Sequence, residues 1–254
     1  MLLEFEQVTK RYNGILALSG VSLKVRQGEV LGLIGPNGSG KTTIFNLISR
    51  LTHSDAGSIH LNGRPIRDLR PADMITHGVA RVFQTPQLCS HLTVLDNVCV
   101  GSYSLEQSAS RSYFQLKPPI RLIEAQAALS LVGVQGTGSS LPATLSFFEQ
   151  RKVELARALM SKPRLVLLDE VTSGFTAAER ETFEQTLRKV NGAGTTLFLI
   201  EHDLSLIRCL CNRVVVLDAG KKVSEGPPSL IEEDPAVRHI YVGAPGAAHQ
   251  QAHS

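Results

Sequence analysis

The sequence contains no tryptophan and only four cysteines, which are Cys89, Cys99, Cys209 and Cys211. Their spacing fits neither a C-x-x-C redox pair nor the paired cysteines of a zinc knuckle. We therefore expect the four thiols to be small, buried, hydrophobic side chains in a protein of the reducing cytosol.

Long apolar runs and an excess of charge of one sign are also missing. No apolar run reaches the roughly 18 residues that a membrane-spanning helix requires, and the opening MLLEFEQVTK has neither the basic nor the apolar region of a secretory signal. The 26 basic and 23 acidic residues nearly balance, unlike the charge of a dedicated nucleic-acid binder. We expect a soluble, cytoplasmic protein that binds no nucleic acid and meets a membrane only through a partner.

Two kinds of hydrophobic pattern predict the fold class. Residues 2–9 and 21–25 alternate apolar and polar side chains on either side of Asn13-Gly14, which is typical of an antiparallel region. An unbroken apolar run at 30–34, a glycine-rich turn and a helical pattern at about 41–51 indicate a buried parallel βα unit. From residue 164 onward, strand patterns at 165–169, 195–200 and 214–217 alternate with helical patterns at 177–190 and 204–210. The sequence thus predicts an α/β fold with a doubly wound, mostly parallel sheet and an N-terminal antiparallel β-region.

A helix-favouring stretch separates the two parts of this alternation. It covers residues 95–132 and is interrupted by the polar segment SYSLEQSASRSYFQLKPP. We predict one domain over residues 1–242, with a helical subdomain at about 87–160. Residues 243–254, GAPGAAHQQAHS, lack apolar periodicity and are predicted to form a disordered tail.

The turn after the apolar run at 30–34 fits the phosphate-binding pattern G-x-x-x-x-G-K-[ST]. Glycines let backbone N–H groups turn toward phosphate oxygens, and the N-terminus of the following helix attracts the same anion. Lys41 adds a positive charge at the β- and γ-phosphates, and the Thr42 hydroxyl is suited to bind Mg²⁺. We predict a site for ATP and Mg²⁺ on residues 35–42, the phosphate loop. Its candidate residues, together with Thr43, are Gly35, Pro36, Asn37, Gly38, Ser39, Gly40, Lys41 and Thr42.

Two acids follow a second buried strand pattern, LVLLDE. Ligands of doubly wound sheets bind at the carboxyl ends of parallel strands, which is where Asp169 and Glu170 are predicted to lie. We expect Asp169 to hold Mg²⁺ through water and Glu170 to orient and deprotonate the attacking water, a role typically worth about 10² to 10⁴ in rate.

These motifs, in this order, resemble the ATPases of ABC transporters over residues 1 to about 243. Gln84 in VARVFQ is similar to the Q-loop glutamine of that family, and His202 in LIEHDL is similar to its switch histidine. The segments LARALMSKPRLVLLDE and EGPPSLIEEDPAVRHIYVG further resemble the ATPases of branched-chain amino-acid importers. ATPases that serve urea or amides share similar segments.

The resemblance implies a P-loop NTPase fold and a role for each matched residue. Tyr12 would stack on adenine, Gln84 would touch Mg²⁺ and report to the membrane subunit, and His202 would bond the γ-phosphate. The implied catalytic residues are Lys41, Glu170 and His202, and the implied Mg²⁺ ligands are Thr42, Gln84 and Asp169. The implied partners are transmembrane permease subunits and a second ABC ATPase, on the cytoplasmic face of the inner or plasma membrane.

One segment departs from the family pattern. The family's L-S-G-G-Q segment contacts the ATP held by a dimer partner, and here it is Leu145-Ser146-Phe147-Phe148-Glu149, the signature segment. Ser146 stays a candidate nucleotide contact, but the Phe148 side chain should obstruct the approach that glycine allows. Val171 stands at a usual proline, and Phe175-Thr176 stands where leucine and an acid or amide are usual. Drift and pairing with a different ATPase both remain open, as do a low-activity regulatory subunit and a soluble ABC protein without a transport role.

Overall fold

The computed structural model describes residues 1–102 and 119–242. The predicted disordered tail and most of the polar segment 102–119 lie outside the described residues. The strands are Leu3–Tyr12 (β1), Ile15–Val25 (β2), Val30–Ile34 (β3), Ala56–Leu61 (β4), Arg64–Pro65 (β5), Val79–Val82 (β6), Leu165–Asp169 (β7), Thr196–Ile200 (β8), Arg213–Asp218 (β9) and Lys221–Gly226 (β10). The helices are Lys41–Ile48 (α1), Asp73–Thr76 (α2), Val94–Val100 (α3), Pro119–Leu131 (α4), Phe147–Leu159 (α5), Ala177–Gly192 (α6), Leu204–Leu210 (α7), Pro228–Glu233 (α8) and Pro235–Val242 (α9). Among the described residues, none of these helices is both long and apolar enough to cross a membrane.

The first compact unit contains residues 1–68 and those from 198 onward. Its antiparallel sheet has the order β2-β1-β4-β5. Asn13 and Gly14 join β1 to β2 with φ angles of 49° and 85°, the left-handed conformation that an Asn-Gly turn supplies between two strands. β3 pairs in parallel with β9, and β9 pairs in antiparallel with β10. All five residues of β3 are buried, so this strand is a fixed support for the loop that follows it.

The second compact unit contains residues 69–197, and the division between the units falls within β8. β6 and β7 pair in parallel, with Val82 opposite Leu168. Helices α3, α4 and α5 pack against one another, with Val98, Ala125 and Val153 fully buried. This unit therefore brings the ends of β6 and β7 together with the start of α5.

Most predicted elements agree with the structure. β3, β7 and α7 have the predicted bounds, whereas β2 begins at Ile15 instead of Val21. Burial of all four cysteines was a wrong expectation, because Cys99 and Cys211 are buried but Cys89 and Cys209 are exposed. Cys209 lies on the exposed face of α7 and Cys89 in the segment before α3. Burial raises the pKa of the Cys211 thiol to about 12, which leaves that thiol unreactive.

Candidate active site

The phosphate loop connects the buried strand β3 to helix α1. Gly35, Gly38 and Gly40 have φ angles of 149°, 80° and 105°, which side chains with a Cβ rarely adopt. Gly40 is the N-cap of α1 and offers no side-chain cap to that helix. The first N–H groups of α1 are therefore available to an anion, as the motif predicts.

Two buried polar groups of the phosphate loop fit a phosphate ligand. Lys41 is 5% exposed, and its Nζ donates to the carbonyl oxygens of Gly35 at 2.7 Å and of Pro36 at 3.0 Å. Ser39 is buried, and its Oγ has no hydrogen-bond partner among the described residues. A buried hydroxyl without a partner normally costs free energy, and an anion held by the loop would supply one.

The outer positions of the loop are open to solvent. Asn37, Gly38 and Thr42 are exposed, whereas Thr43 and Pro36 are partly buried. The Thr42 hydroxyl is an oxygen donor of the kind that Mg²⁺ prefers, so the loop offers a metal ligand beside the cation of Lys41.

Alanine at position 35 is expected to destabilise the fold. An added Cβ would lie 2.1 Å from the Leu217 carbonyl oxygen and 2.8 Å from Ser39 Oγ. Gly38→Ala is the matched control, because its Cβ would meet nothing within 4 Å although its φ is also positive. We expect Gly38→Ala to cost about 1 to 2 kcal/mol of unfolding free energy, and Gly35→Ala to cost about 1 to 3 kcal/mol more through overpacking. Urea denaturation measures both, and equal losses would contradict the close approach at Gly35.

Tyr12 and His202 belong to the same unit as the phosphate loop. Tyr12 ends β1 and is 41% exposed, and Lys10 Nζ lies 5.2 Å from the centroid of its ring. His202 is exposed and immediately precedes Asp203, the N-cap of α7. The Asp203 carboxylate accepts from the N–H of Ser205 at 2.9 Å, so the chain around His202 is held by the start of α7.

The predicted acid pair lies at the end of β7. Asp169 is 7% exposed, and its Oδ2 accepts a hydrogen bond from Arg81 Nη2 at 2.6 Å. Glu170 has a φ of 48°, a left-handed conformation that costs roughly 1 to 2 kcal/mol in a residue with a Cβ. Gln84, the residue predicted for the Q-loop, donates from Nε2 to Glu170 Oε2 at 2.7 Å. The structure thus brings together Gln84, Asp169 and Glu170, as the motifs suggest.

The signature segment forms the start of α5. Ser146 is the N-cap, and its Oγ accepts from the N–H of Glu149 at 3.2 Å. Glu149 Oε2 accepts in return from the Ser146 N–H and from Ser146 Oγ, both at 2.9 Å. A carboxylate of this chain therefore already occupies the donors that the resemblance assigns to a partner's nucleotide.

The departures from the family pattern pack against each other. The Phe148 ring lies 5.0 Å from the Phe175 ring and 6.5 Å from the Phe183 ring, edge to face in both cases. Lys152 Nζ lies 4.8 Å from the Phe148 centroid. The side chains of Phe148 and Phe175 therefore belong to one packed group. We call Phe148, Phe175 and Phe183 the aromatic cluster. Thr176 is the N-cap of α6 in a capping box with Glu179. Its side chain therefore caps the helix, as the side chain of an aspartate or asparagine would at this position.

Two arginines of this region were missed by the sequence analysis. Arg81 lies in β6 with its side chain 8% exposed, and Arg151 lies in α5 with its side chain 0% exposed. A charged residue inside an apolar strand pattern such as VARVF is itself a signal, because arginine is rarely buried without a partner. The partner cannot be named from sequence, since Asp169 is far away along the chain.

Comparison with known proteins places the motifs in a family. A model of the ABC transporter family matches residues 18–173. The high-affinity branched-chain amino acid transport ATP-binding protein BraF of Pseudomonas aeruginosa is 31% identical over 249 residues, covering 95% of this chain and 98% of BraF. The sulfate/thiosulfate import ATP-binding protein CysA 2 of Chromobacterium violaceum is 34% identical over 239 residues, covering 94% of this chain and 62% of CysA 2.

A solved structure supports the same conclusion for the fold. The crystal structure of the ADP conformation of an ATP-binding cassette of an ABC transporter matches with a TM-score of 0.86 and 28% identity, covering 96% of this chain and 99% of that one. The predicted P-loop NTPase fold is thereby confirmed. The phosphate loop, the acid pair and these matches together show that the chain belongs to the ABC transporter family and is one of its ATPases.

Proposed function

We propose that this chain energises the import of branched-chain amino acids, or of a related small polar solute, by binding and hydrolysing ATP. The observation that carries the proposal is the phosphate loop. It combines three glycines of positive φ with a buried lysine ammonium and a buried serine hydroxyl that has no partner among the described residues. This donor set suits the phosphates of a nucleotide.

The residues of the chain divide the work of hydrolysis. Lys41, Ser39 and the first N–H groups of α1 would hold the β- and γ-phosphates. Glu170 would accept the proton of the attacking water as the water oxygen bonds to the γ-phosphorus and the bond from that phosphorus to the departing ADP breaks. His202 would donate a hydrogen bond to a γ-phosphate oxygen. Gln84 would orient the Glu170 carboxylate through its amide.

Thr42, Gln84 and Asp169 offer the oxygen donors that Mg²⁺ prefers. When bound, Mg²⁺ supplies positive charge that neutralises the β- and γ-phosphate oxygens. Arg81 would orient the Asp169 carboxylate, since its Nη2 pairs with Oδ2.

The proposed partners follow from the proposed role. An ATPase of this family without a membrane-spanning helix among its described residues would need permease subunits to move a solute. It would then work on the cytoplasmic face of the membrane, paired with a second ABC ATPase.

Solute uptake by cells that lack the chain would test the proposed solute. Cells complemented with the wild-type chain should take up labelled leucine, isoleucine and valine, whereas cells carrying Glu170→Gln should not. Sulfate uptake should be equal in both. If cells carrying Glu170→Gln lost sulfate uptake but kept uptake of the three amino acids, the amino-acid proposal would be contradicted. If these cells kept both kinds of uptake, a role of the chain in importing these solutes would be contradicted.

A low-activity regulatory subunit that pairs with a different ABC ATPase is the second candidate, and the signature segment favours it. The Glu149 carboxylate binds the Ser146 hydroxyl and N–H, so a nucleotide phosphate would have to displace a group of the same charge. Such a chain would hydrolyse slowly on its own. It would turn over faster beside a partner ATPase whose signature segment is intact, with one fast site and one slow site.

Phe148→Gly should raise the ATPase activity of the purified chain. Losing backbone donors to a developing anion commonly costs 10²- to 10³-fold in rate, so we expect a gain of at least about tenfold at matched protein concentration. Phe183→Leu is the control, because it alters the aromatic cluster outside the signature segment. Wild-type turnover of about 1 s⁻¹ or more, in the usual enzyme range, and no gain in the variant would show that the Phe148 backbone still reaches the phosphate.

A further inference from the structure

Helix α5 carries a charged face that binds the backbone of residues 83–87. Its three members, Arg151, Glu154 and Arg157, are spaced by three residues and therefore share one side of the helix. Glu154 Oε1 accepts from the N–H of Gln87 at 3.3 Å, and Arg157 Nη1 donates to the Gln87 carbonyl at 2.6 Å. The segment 83–87, which contains Gln84, is therefore held against α5 at its C-terminal residue, Gln87.

Arg151 fixes the near end of that segment. Its Nη1 donates to the Phe83 carbonyl and its Nη2 donates to the Gln84 carbonyl. Nη1 also pairs with Glu154 Oε2 at 3.0 Å. The Arg151 side chain is completely buried, and the phosphate loop belongs to the other unit.

The same arginine contacts the signature segment. The Arg151 guanidinium carbon lies 5.4 Å from the centroid of the Phe147 ring, within the range of a cation–π interaction. A continuous set of contacts therefore runs from Phe147 through Arg151 to the backbone of Gln84. It continues through the Gln84 amide to the carboxylate of Glu170.

We propose that Arg151 is a positioning residue for hydrolysis, which holds the Gln84 backbone so that the Gln84 amide reaches Glu170, and which links the signature segment to that contact. The inference rests on the proposed function, because it takes Glu170 as the proton acceptor. Arg151 touches neither the nucleotide nor the water in this role.

The guanidinium geometry explains why arginine is needed at position 151. Its planar group donates from two nitrogens to two neighbouring carbonyl oxygens at once, and a lysine ammonium is a single point donor. Arg151→Lys keeps the charge beside Glu154 but cannot reproduce both bonds. The Gln84 side chain would then sample positions away from Glu170.

A double-mutant cycle on ATP hydrolysis tests the proposal. We expect Arg151→Lys to lower kcat about tenfold with KM changed by less than about threefold, a size typical of a lost orienting contact. Gln84→Ala should lower kcat similarly. Because Gln84→Ala keeps the backbone carbonyl that Arg151 binds, adding Arg151→Lys to it should lower kcat no further. An equal loss in both backgrounds would overturn the proposal, as would a loss of thermal stability with unchanged kcat.

Arg213→Lys is the matched control for an ordinary buried arginine. Arg213 pairs with Glu29 at 2.7 Å and donates to the Lys24 carbonyl at 2.5 Å, but it lies in the other unit. The Arg213→Lys variant should have a lower melting temperature than the wild-type chain and an unchanged kcat. If Arg151→Lys does not fold, Glu154→Gln takes its place in the cycle, and a kcat loss that persists in the Gln84→Ala background overturns the proposal. Absence of Mg²⁺-dependent hydrolysis by the wild-type chain, alone and with its partner, would instead overturn the proposed function.

Discussion

Glu170→Gln should bind ATP with nearly normal affinity and hydrolyse it at least about 10²-fold more slowly, as expected for a lost general base. The substitution removes the group that accepts the proton of water and keeps the size of the side chain. The Gln84 amide, which donates to Oε2 at 2.7 Å, would still find an oxygen acceptor there. The change therefore separates proton transfer from positioning. Phosphate release and binding of a fluorescent ATP analogue measure the two effects independently.

Glu179→Gln is the control for Glu170→Gln. Glu179 is another carboxylate of the same unit, and its Oε2 accepts from Thr176 Oγ1 at 2.9 Å in the capping box of α6. Loss of its charge should alter helix stability slightly and leave turnover near normal. A reduction of less than about threefold in Glu170→Gln, far below the usual effect of a general base, would assign proton transfer to a different group.

Lys41→Ala should remove most of the nucleotide affinity. The ammonium is 5% exposed and held by the carbonyl oxygens of Gly35 and Pro36, which places it inside the phosphate loop. A charge pair shielded from water is stronger than one in solvent, so we expect at least about a hundredfold weaker binding of ATP, or about 2.7 kcal/mol. Isothermal titration with ATP and Mg²⁺ measures the loss directly.

Lys152→Ala is a close control for Lys41→Ala. Lys152 is 6% exposed, and its Nζ also donates to a glycine carbonyl, that of Gly133, at 2.8 Å. Burial lowers its pKa. Both variants lose a buried ammonium, but only Lys41 lies in the phosphate loop. Equal losses of ATP affinity in Lys41→Ala and Lys152→Ala, or near-normal ATP binding by Lys41→Ala, would contradict the assignment of the phosphate loop as the nucleotide site.

The fold was predictable where a pattern is apolar and continuous. β3 and β7 are buried at all five positions, so an unbroken apolar run identified both. Helix α5 lies within the predicted helical subdomain, but its bounds were not predicted, because its buried face includes Arg151, Lys152 and Glu154 and so breaks the expected apolar period. β10 was missed because KKVSEG is mostly exposed and carries no apolar pattern. Its register is set by pairing with β9.

The candidate site was predictable residue by residue, but its contacts were not. The phosphate loop follows from local spacing, because its glycines and Lys41 act within one turn of chain. The bonds from Gln84 to Glu170 and from Arg81 to Asp169 join residues 86 and 88 positions apart. Such bonds are created when β6 and β7 pair, and a single sequence carries no direct signal of them.

At Glu170, the left-handed backbone conformation makes the residue that is best for fold stability different from the residue that is needed for the proposed proton transfer. At a φ of 48°, glycine or asparagine would suit the backbone better than glutamate, so selection for stability alone would remove the carboxylate. A chain that had given up hydrolysis and kept only nucleotide binding would gain by that replacement. In a chain that hydrolyses ATP, the same replacement would remove the proposed proton acceptor. The backbone strain at Glu170 is then a stability cost that the proposed proton transfer would offset.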